Sequence, residues 1–243
     1  WFRDELATRL GQPVAPPRPL AWHRHSDYLG WHPHTEGTKF FGLRVINGRI
    51  KDNARAAIRE VVETLRPGIT LTVQQNLFFT GITPGNEALL EAILRKHGVA
   101  LPNELPPVLR HSMACTGLPT CGLAITESER SSPALIAKIQ AELTAAGLGD
   151  EIIHLRMTGC PNGCARPYTA EIGIVGMSVN MYSLYVGGSQ MATRVAPLFK
   201  HGVKEEEIAG TLRPLFDEFA AERQPGEPFG DFYFRKHGQP AHA

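Results

Sequence analysis

The sequence predicts an α+β fold built as two successive parts. Three observations carry this: residues 38–97 alternate strand and helix patterns, a proline-rich break follows at residues 100–110, and a second strand-and-helix run beyond it holds every cysteine. With 243 residues and 42% apolar content, the chain has material for a substantial core, in one large domain or two smaller ones.

In the first part, TKFFGLRVINGRI alternates around Asn47-Gly48, a hairpin signal that predicts strands near 38–46 and at 49–50. Ala56, Ile58, Val61, Val62 and Leu65 recur at helical spacing, so residues 52–66 read as a helix stopped by Pro67-Gly68. ITLTVQ and NLFFTGI follow as strands, and Glu87 to His97 as a helix closed by Gly98. The segment ALPNELPPVLR breaks the pattern and marks the boundary.

In the second part, residues 133–146 read as a helix and IIHLRM as a strand. AEIGIVG and YSLYVGG then read as strands, and KEEEIAGTLRPLFDEFAAE as a closing helix interrupted or bent at Pro214.

Charge is nearly balanced, 25 Lys plus Arg against 24 Asp plus Glu, so the chain lacks the single-sign field of a nucleic-acid binder. No apolar run reaches the ~18 residues of a bilayer span, and WFRDELATRL lacks the apolar core of a secretion signal, so the expected location is cytoplasmic. The chain opens on Trp1, and Pro13, Pro16, Pro17 and Pro19 follow, so residues 1–21 are expected to be a partial helix and linker within a longer protein. His23, His25, His32 and His34 crowd into WHRHSDYLGWHPH and read as a solvated loop before they read as a metal site.

The four cysteines form two close pairs, Cys115 and Cys121 in MACTGLPTCGLA, and Cys160 and Cys164 in TGCPNGCARP. Disulfides fit poorly, because the chain shows no export signal and has apolar content enough to fold without staples. Zinc stays open: C-x3-C suits it, whereas C-x5-C lies outside its common spacing. A 4Fe-4S cluster is less demanding, because each thiolate ligates a separate iron. Gly117, Gly159 and Gly163 would let backbone N–H groups approach the negatively charged sulfurs, and Pro119, Pro161 and Pro167 would stiffen the turns. The residues alone therefore point to an iron-sulfur protein and name no substrate.

CTGLPTCGLAITESER together with TGCPNGCARPYTAEIGIVG resembles the paired signature of the sulfite and nitrite reductase hemoproteins, in which siroheme is coupled to a 4Fe-4S cluster. YSLYVGG and FGDFYFRKHG extend the resemblance to the C-terminus, and DYLGWHPHTEGTKFFGLRVINGRIK and TLTVQQNLFFTGI extend it backward as the start of that family's second internal repeat. The resemblance implies a ferredoxin-like half-repeat domain over residues 22–100 and an α/β siroheme and 4Fe-4S domain over 108–238.

It further implies that Cys115, Cys121, Cys160 and Cys164 hold the cluster, with the Cys164 thiolate also bridging to the siroheme iron as the catalytic link. Thr158, Asn162, Arg166, Gln75 and Asn76 are the expected siroheme contacts, since the macrocycle carries many carboxylates. The implied reaction is six-electron reduction of sulfite to hydrogen sulfide, with a siroheme nitrite reductase or a cluster-only electron-transfer module as alternatives. CARPYTAEIG and YLGWH look closer to the ferredoxin-dependent type than to the type served by a flavoprotein. Family members are considerably longer, and the earlier repeat that supplies basic grips for the substrate anion has no counterpart here, so an N-terminal half is an expected partner.

Overall fold

The structure is a computed structural model, and it describes residues 1–16, 18 and 27–238. His23 and His25 lie outside the described residues. A first helix, α1 (Phe2–Leu10), precedes the two sheets.

Four strands, β1 (Gly30–Pro33), β2 (Lys39–Leu43), β3 (Gly68–Leu71) and β4 (Leu77–Ile82), make an antiparallel sheet in the order β1-β2-β4-β3. Helices α2 (Asp52–Leu65) and α3 (Glu87–Lys96) cover one face. Their apolar stripes bury Ala57, Ile58, Val61, Leu90, Ile93 and Leu94 against Phe41, Leu43, Leu77 and Phe79, as 3.6-residue and two-residue periodicities require when they meet in one core.

A single-turn helix, α4 (Pro107–Arg110), leads into the second sheet. Its strands are β5 (Ser112–Ala114), β6 (Leu155–Thr158), β7 (Ile172–Ser178), β8 (Met181–Val186) and β9 (Leu198–Lys204), lying in sequence order. Strands β5, β6 and β7 run parallel, and β7, β8 and β9 antiparallel. Helices α5 (Ser132–Ala145), α6 (Ile208–Glu222) and α7 (Phe229–His237) supply the apolar cover, with Leu135, Ile139, Phe216, Phe219, Phe229 and Phe232 buried on Leu155, Met157, Ile172, Ile174 and Leu184.

The Asn47-Gly48 turn forms, with both residues in left-handed backbone, yet no strand follows at 49–50. Asn47 instead donates through Nδ2 to Glu129 O at 2.8 Å and Ser132 Oγ at 2.7 Å, so the turn docks on the second part and the chain enters α2. ITLTVQ ends as a strand at Leu71, because Thr72 and Asn76 close a turn on one another, with Gln75 at φ 63°. Helix α6 runs uninterrupted through Pro214. The carbonyl of Gly210 that proline leaves without its helical donor belongs to an exposed residue, open to solvent. The closing helix begins at Ile208, because Lys204 ends β9 and Glu205–Glu207 form a separate 3-10 turn.

Glu171 ties the second part together. It is fully buried, and its two carboxylate oxygens accept the backbone N–H groups of His154 and Gly230, both at 2.9 Å. Burial outweighs these donors and pushes its pKa up to about 7. The folded value thus lies above the unfolded one, so the stabilisation is complete below the ordinary carboxylate range and is lost as pH rises through about 7. We expect the unfolding free energy of the protein to fall between pH 5 and 8 by on the order of 3 kcal/mol from this group. Chemical denaturation of Glu171→Gln over the same range should show that part of the slope removed; an unchanged slope would contradict the assignment.

Candidate functional site

The two cysteine pairs converge because β5 and β6 are adjacent and parallel. Ala114 pairs with Met157, so Cys115 leaves β5 and Cys160 follows β6 at the same end of the sheet. Carboxyl ends of parallel strands are where open α/β sheets place ligands, since the chain there turns into loops rather than returning directly. The Cys115 N–H donates to Met157 O at 3.0 Å, and the Gly159 N–H donates to Cys115 Sγ at 3.2 Å. That second bond links the two pairs through a sulfur.

The loop that carries Cys121 is pinned to the same point. Ile125 and Thr126 both donate to Gly159 O, at 2.8 and 3.0 Å, and the Cys121 N–H donates to Gly117 O at 2.9 Å. A β-carbon at Gly159 would stand 2.6 Å from Thr126 O and 3.2 Å from Gly117 Cα, so only glycine allows this approach. Gly117 holds φ 59°, and a β-carbon there would meet Ser128 N at 2.7 Å. Beyond Cys160, Tyr168 Oη donates to Pro161 O at 2.8 Å and the Arg166 N–H to Gly163 O at 2.7 Å, which closes the turn bearing Cys164.

All four thiols are free; Cys160 is buried, Cys115 and Cys121 are half-buried and Cys164 is exposed. Among the described residues, no group of three or more His, Cys, Asp or Glu could hold a single metal ion. A donor set of four free thiols on stiff turns, with a backbone N–H already aimed at one sulfur, fits a cluster whose irons are each held by one cysteine.

Around these turns lies the seam between the two sheets. Arg44, 6% exposed, bridges it by donating to the carbonyls of Leu109, Val45 and Ser112, to Ser112 Oγ and to Asn76 Oδ1. Burial brings its pKa down to about 10, with Asp27 acting in the opposite sense, so it stays charged at neutral pH. Asn76 Oδ1 also accepts from Val45 N, so Asn76 is spent on the seam. Gln75 donates through Nε2 to Ala114 O at 2.8 Å, while its Oε1 is buried without a partner. Thr158 is fully buried and its Oγ1 is likewise unpartnered. Arg166, exposed and at φ 58°, reaches Val73 O at 3.0 Å, and Asn162 is exposed.

The structure thus brings Thr158, Gln75 and Arg166 to the seam beside the cysteine loops, whereas Asn76 serves Arg44. Sequence reasoning picked out Gly159 but passed over Arg44 and Arg156. An arginine inside an otherwise apolar strand such as IIHLRM was the available signal for Arg156. His32 stacks on Phe40 and reaches Leu29 O, and His34 contacts Thr38, so these two histidines are engaged within their own sheet.

An antiparallel half and a mixed parallel-antiparallel half, joined by a seam beside the cysteine turns, define the fold class. Residues 32–97 match the nitrite/sulfite reductase ferredoxin-like half domain. Over 95% of its length the chain is 44% identical to "Sulfite reductase [ferredoxin]" of Synechococcus elongatus, and over 96% it is 41% identical to the "Sulfite reductase [NADPH] hemoprotein beta-component" of Chromohalobacter salexigens. It covers 38% and 41% of those proteins, so the chain spans about two-fifths of the length of the curated relatives it matches. The structure of Mycobacterium tuberculosis NirA protein shares the fold, with a TM-score of 0.80 at 24% identity, covering 98% of this chain and 46% of that one. Residues 32–97 thus carry the nitrite/sulfite reductase ferredoxin-like half domain, and nearly the whole chain is similar to part of the sulfite reductases named above.

The glycine at position 159 supplies a direct check on the geometry. Gly159→Ala should push the 116–127 loop away, at a cost of about 1–3 kcal/mol for overpacking. We expect the Ile125 and Thr126 amides to exchange hydrogen at least about tenfold faster while β6 and β7 stay protected. Unchanged exchange at these two amides would show that the close approach is not a constraint.

Proposed function

We propose that the chain is part of an enzyme that reduces sulfite to hydrogen sulfide in a six-electron reaction, with siroheme coupled to a 4Fe-4S cluster. The observation that carries the reading is the pair of cysteine turns at the ends of adjacent parallel strands, linked by the Gly159 N–H to Cys115 Sγ bond. In this reading Cys115, Cys121, Cys160 and Cys164 would hold the cluster, and Cys164, the exposed one, would be the thiol that links it to siroheme. The cofactors when bound supply electron storage and a site for the substrate sulfur.

The protein's own residues do the positioning. The Gly159 N–H is aimed at Cys115 sulfur, where it would offset the negative charge of a bound cluster. Arg166 and Thr158 offer a cation and an unspent hydroxyl on the side where carboxylates of the macrocycle would lie, and Asn162 stands exposed in the turn between Cys160 and Cys164. Gln75 holds the Ala114 carbonyl just before Cys115, and Asn76 acts one step back by orienting Arg44.

We assign residues 22–100 to the ferredoxin-like half-domain and 108–238 to the cofactor domain, with 1–21 as a partial helix and linker. The remaining partners are an N-terminal half that grips the substrate anion and a ferredoxin or flavoprotein electron donor. Names of relatives support both donor types, the ferredoxin type in Synechococcus elongatus and the NADPH type in Chromohalobacter salexigens. A cytoplasmic location suits such donors. Among the described residues no helix is long and apolar enough to cross a membrane.

The test is anaerobic purification of the full-length enzyme that carries this sequence, with iron, acid-labile sulfide and the visible spectrum measured on one sample. Four iron and four sulfide with siroheme bands are expected, and Cys121→Ser should lower iron and sulfide together. Sulfite should reoxidise the reduced enzyme faster than nitrite does; the reverse order would favour a siroheme nitrite reductase. Cluster without tetrapyrrole would favour an electron-transfer module, and one zinc without sulfide would sink the cluster altogether.

A further inference from the structure

Among the described residues two arginines are buried at the seam, and only one has acceptors. Arg44 spends Nε and both terminal nitrogens on the carbonyls and side chains named above. Arg156 is just as deeply placed, at 7% exposed, yet it makes no hydrogen bond among the described residues and its Nη1 is wholly buried. It stands two residues before Thr158 and four before Cys160, on the alternation that turns Leu155 and Met157 into the core and Arg156 and Thr158 to the opposite face.

The charges nearby deepen the imbalance. Among the described residues, Asp27 is the one acid lining the cavity that Arg156 borders, and it is already held by Arg110 at 2.7 Å, with His111 at 3.5 Å. The charged group that acts on Arg156 is Arg166, of like sign. Burial and that neighbour lower the Arg156 pKa to about 10, which still leaves the guanidinium protonated at neutral pH. A buried, uncompensated cation is strongly unfavourable, and a water would satisfy a donor without neutralising the charge.

We propose that Arg156, with Arg166 beside it, forms an anion subsite whose occupant is a peripheral carboxylate of siroheme. The inference rests on the reading under Proposed function and adds a residue to it. A carboxylate matches the planar fork of a guanidinium. The location agrees: β6 leads from Arg156 to Cys160, Thr158 offers its unpartnered hydroxyl between them, and Arg166 follows Cys164 by two residues.

The experiment uses the full-length enzyme, prepared both depleted of siroheme and loaded with it, as wild type, Arg156→Gln and Arg156→Lys. Siroheme binding is titrated by absorbance, iron and sulfide are counted, and melting temperatures are read in both states. Arg156→Gln should weaken siroheme binding at least about tenfold with iron and sulfide unchanged, and Arg156→Lys, which keeps charge without the fork, should fall between. Removing an uncompensated charge should raise the melting temperature of the depleted form and lower that of the loaded form. A structural arginine would lower both. Unchanged siroheme affinity, or equal losses in the two states, overturns the subsite; equal losses would place a carboxylate of the polypeptide on Arg156. Wild-type enzyme that takes up no siroheme overturns the functional reading itself, and the wild-type titration tells that failure apart.

Discussion

The parallel pairing of β5 with β6 is the constraint on which the rest of the site depends. Parallel neighbours end at the same edge, so one ladder of three residue pairs is enough to bring together cysteine turns that lie far apart in the chain. Everything nearer the sulfurs is an elaboration of that edge. Gly159 permits the close crossing of the two loops, and its N–H and carbonyl bind one loop on each side.

The seam between the sheets shows how the same chemistry serves two ends. Buried guanidinium groups are costly unless hydrogen bonds and charge are both met. Arg44 meets the first requirement with carbonyls from α4, β5 and the segment after β2, and thereby locks the first sheet to the second. Arg156 meets neither within the described residues. A satisfied and an unsatisfied guanidinium thus lie at one interface.

Elements with strong periodicity were legible in the sequence. Helices at Asp52–Leu65, Glu87–Lys96 and Ser132–Ala145 lie within a residue or so of their expected ends, because their apolar spacing matches one buried stripe. Strands β1, β5 and β9 were not legible: β5 has three residues, and β1 and β9 are sheet edges with mostly part-exposed or exposed side chains, so alternation is weak. The hairpin expected after Asn47 failed because a long-range bond to Glu129 and Ser132 decides where that turn points. The cysteine loops were legible as a chemistry, from spacing and turn residues. Their bond through Gly159 was not, since it joins Cys115 to a residue 44 positions later. Nor did the motif reveal that Asn76 is consumed by Arg44, which depends on how the two sheets meet.

The same sequence separation governs the order of events at the ribosome. The loop holding Cys115 and Cys121 takes its pinning bonds from Gly159, and Arg44 takes two of its acceptors from Leu109 and Ser112. At about 5–20 residues per second, the first thiols emerge seconds before the carbonyl that shapes their loop has been made. Until then their loop lacks the bonds that pin it. A site of this kind cannot take shape pair by pair as the chain appears; it is complete only after β6 has docked, when one crossing point sets both loops at once.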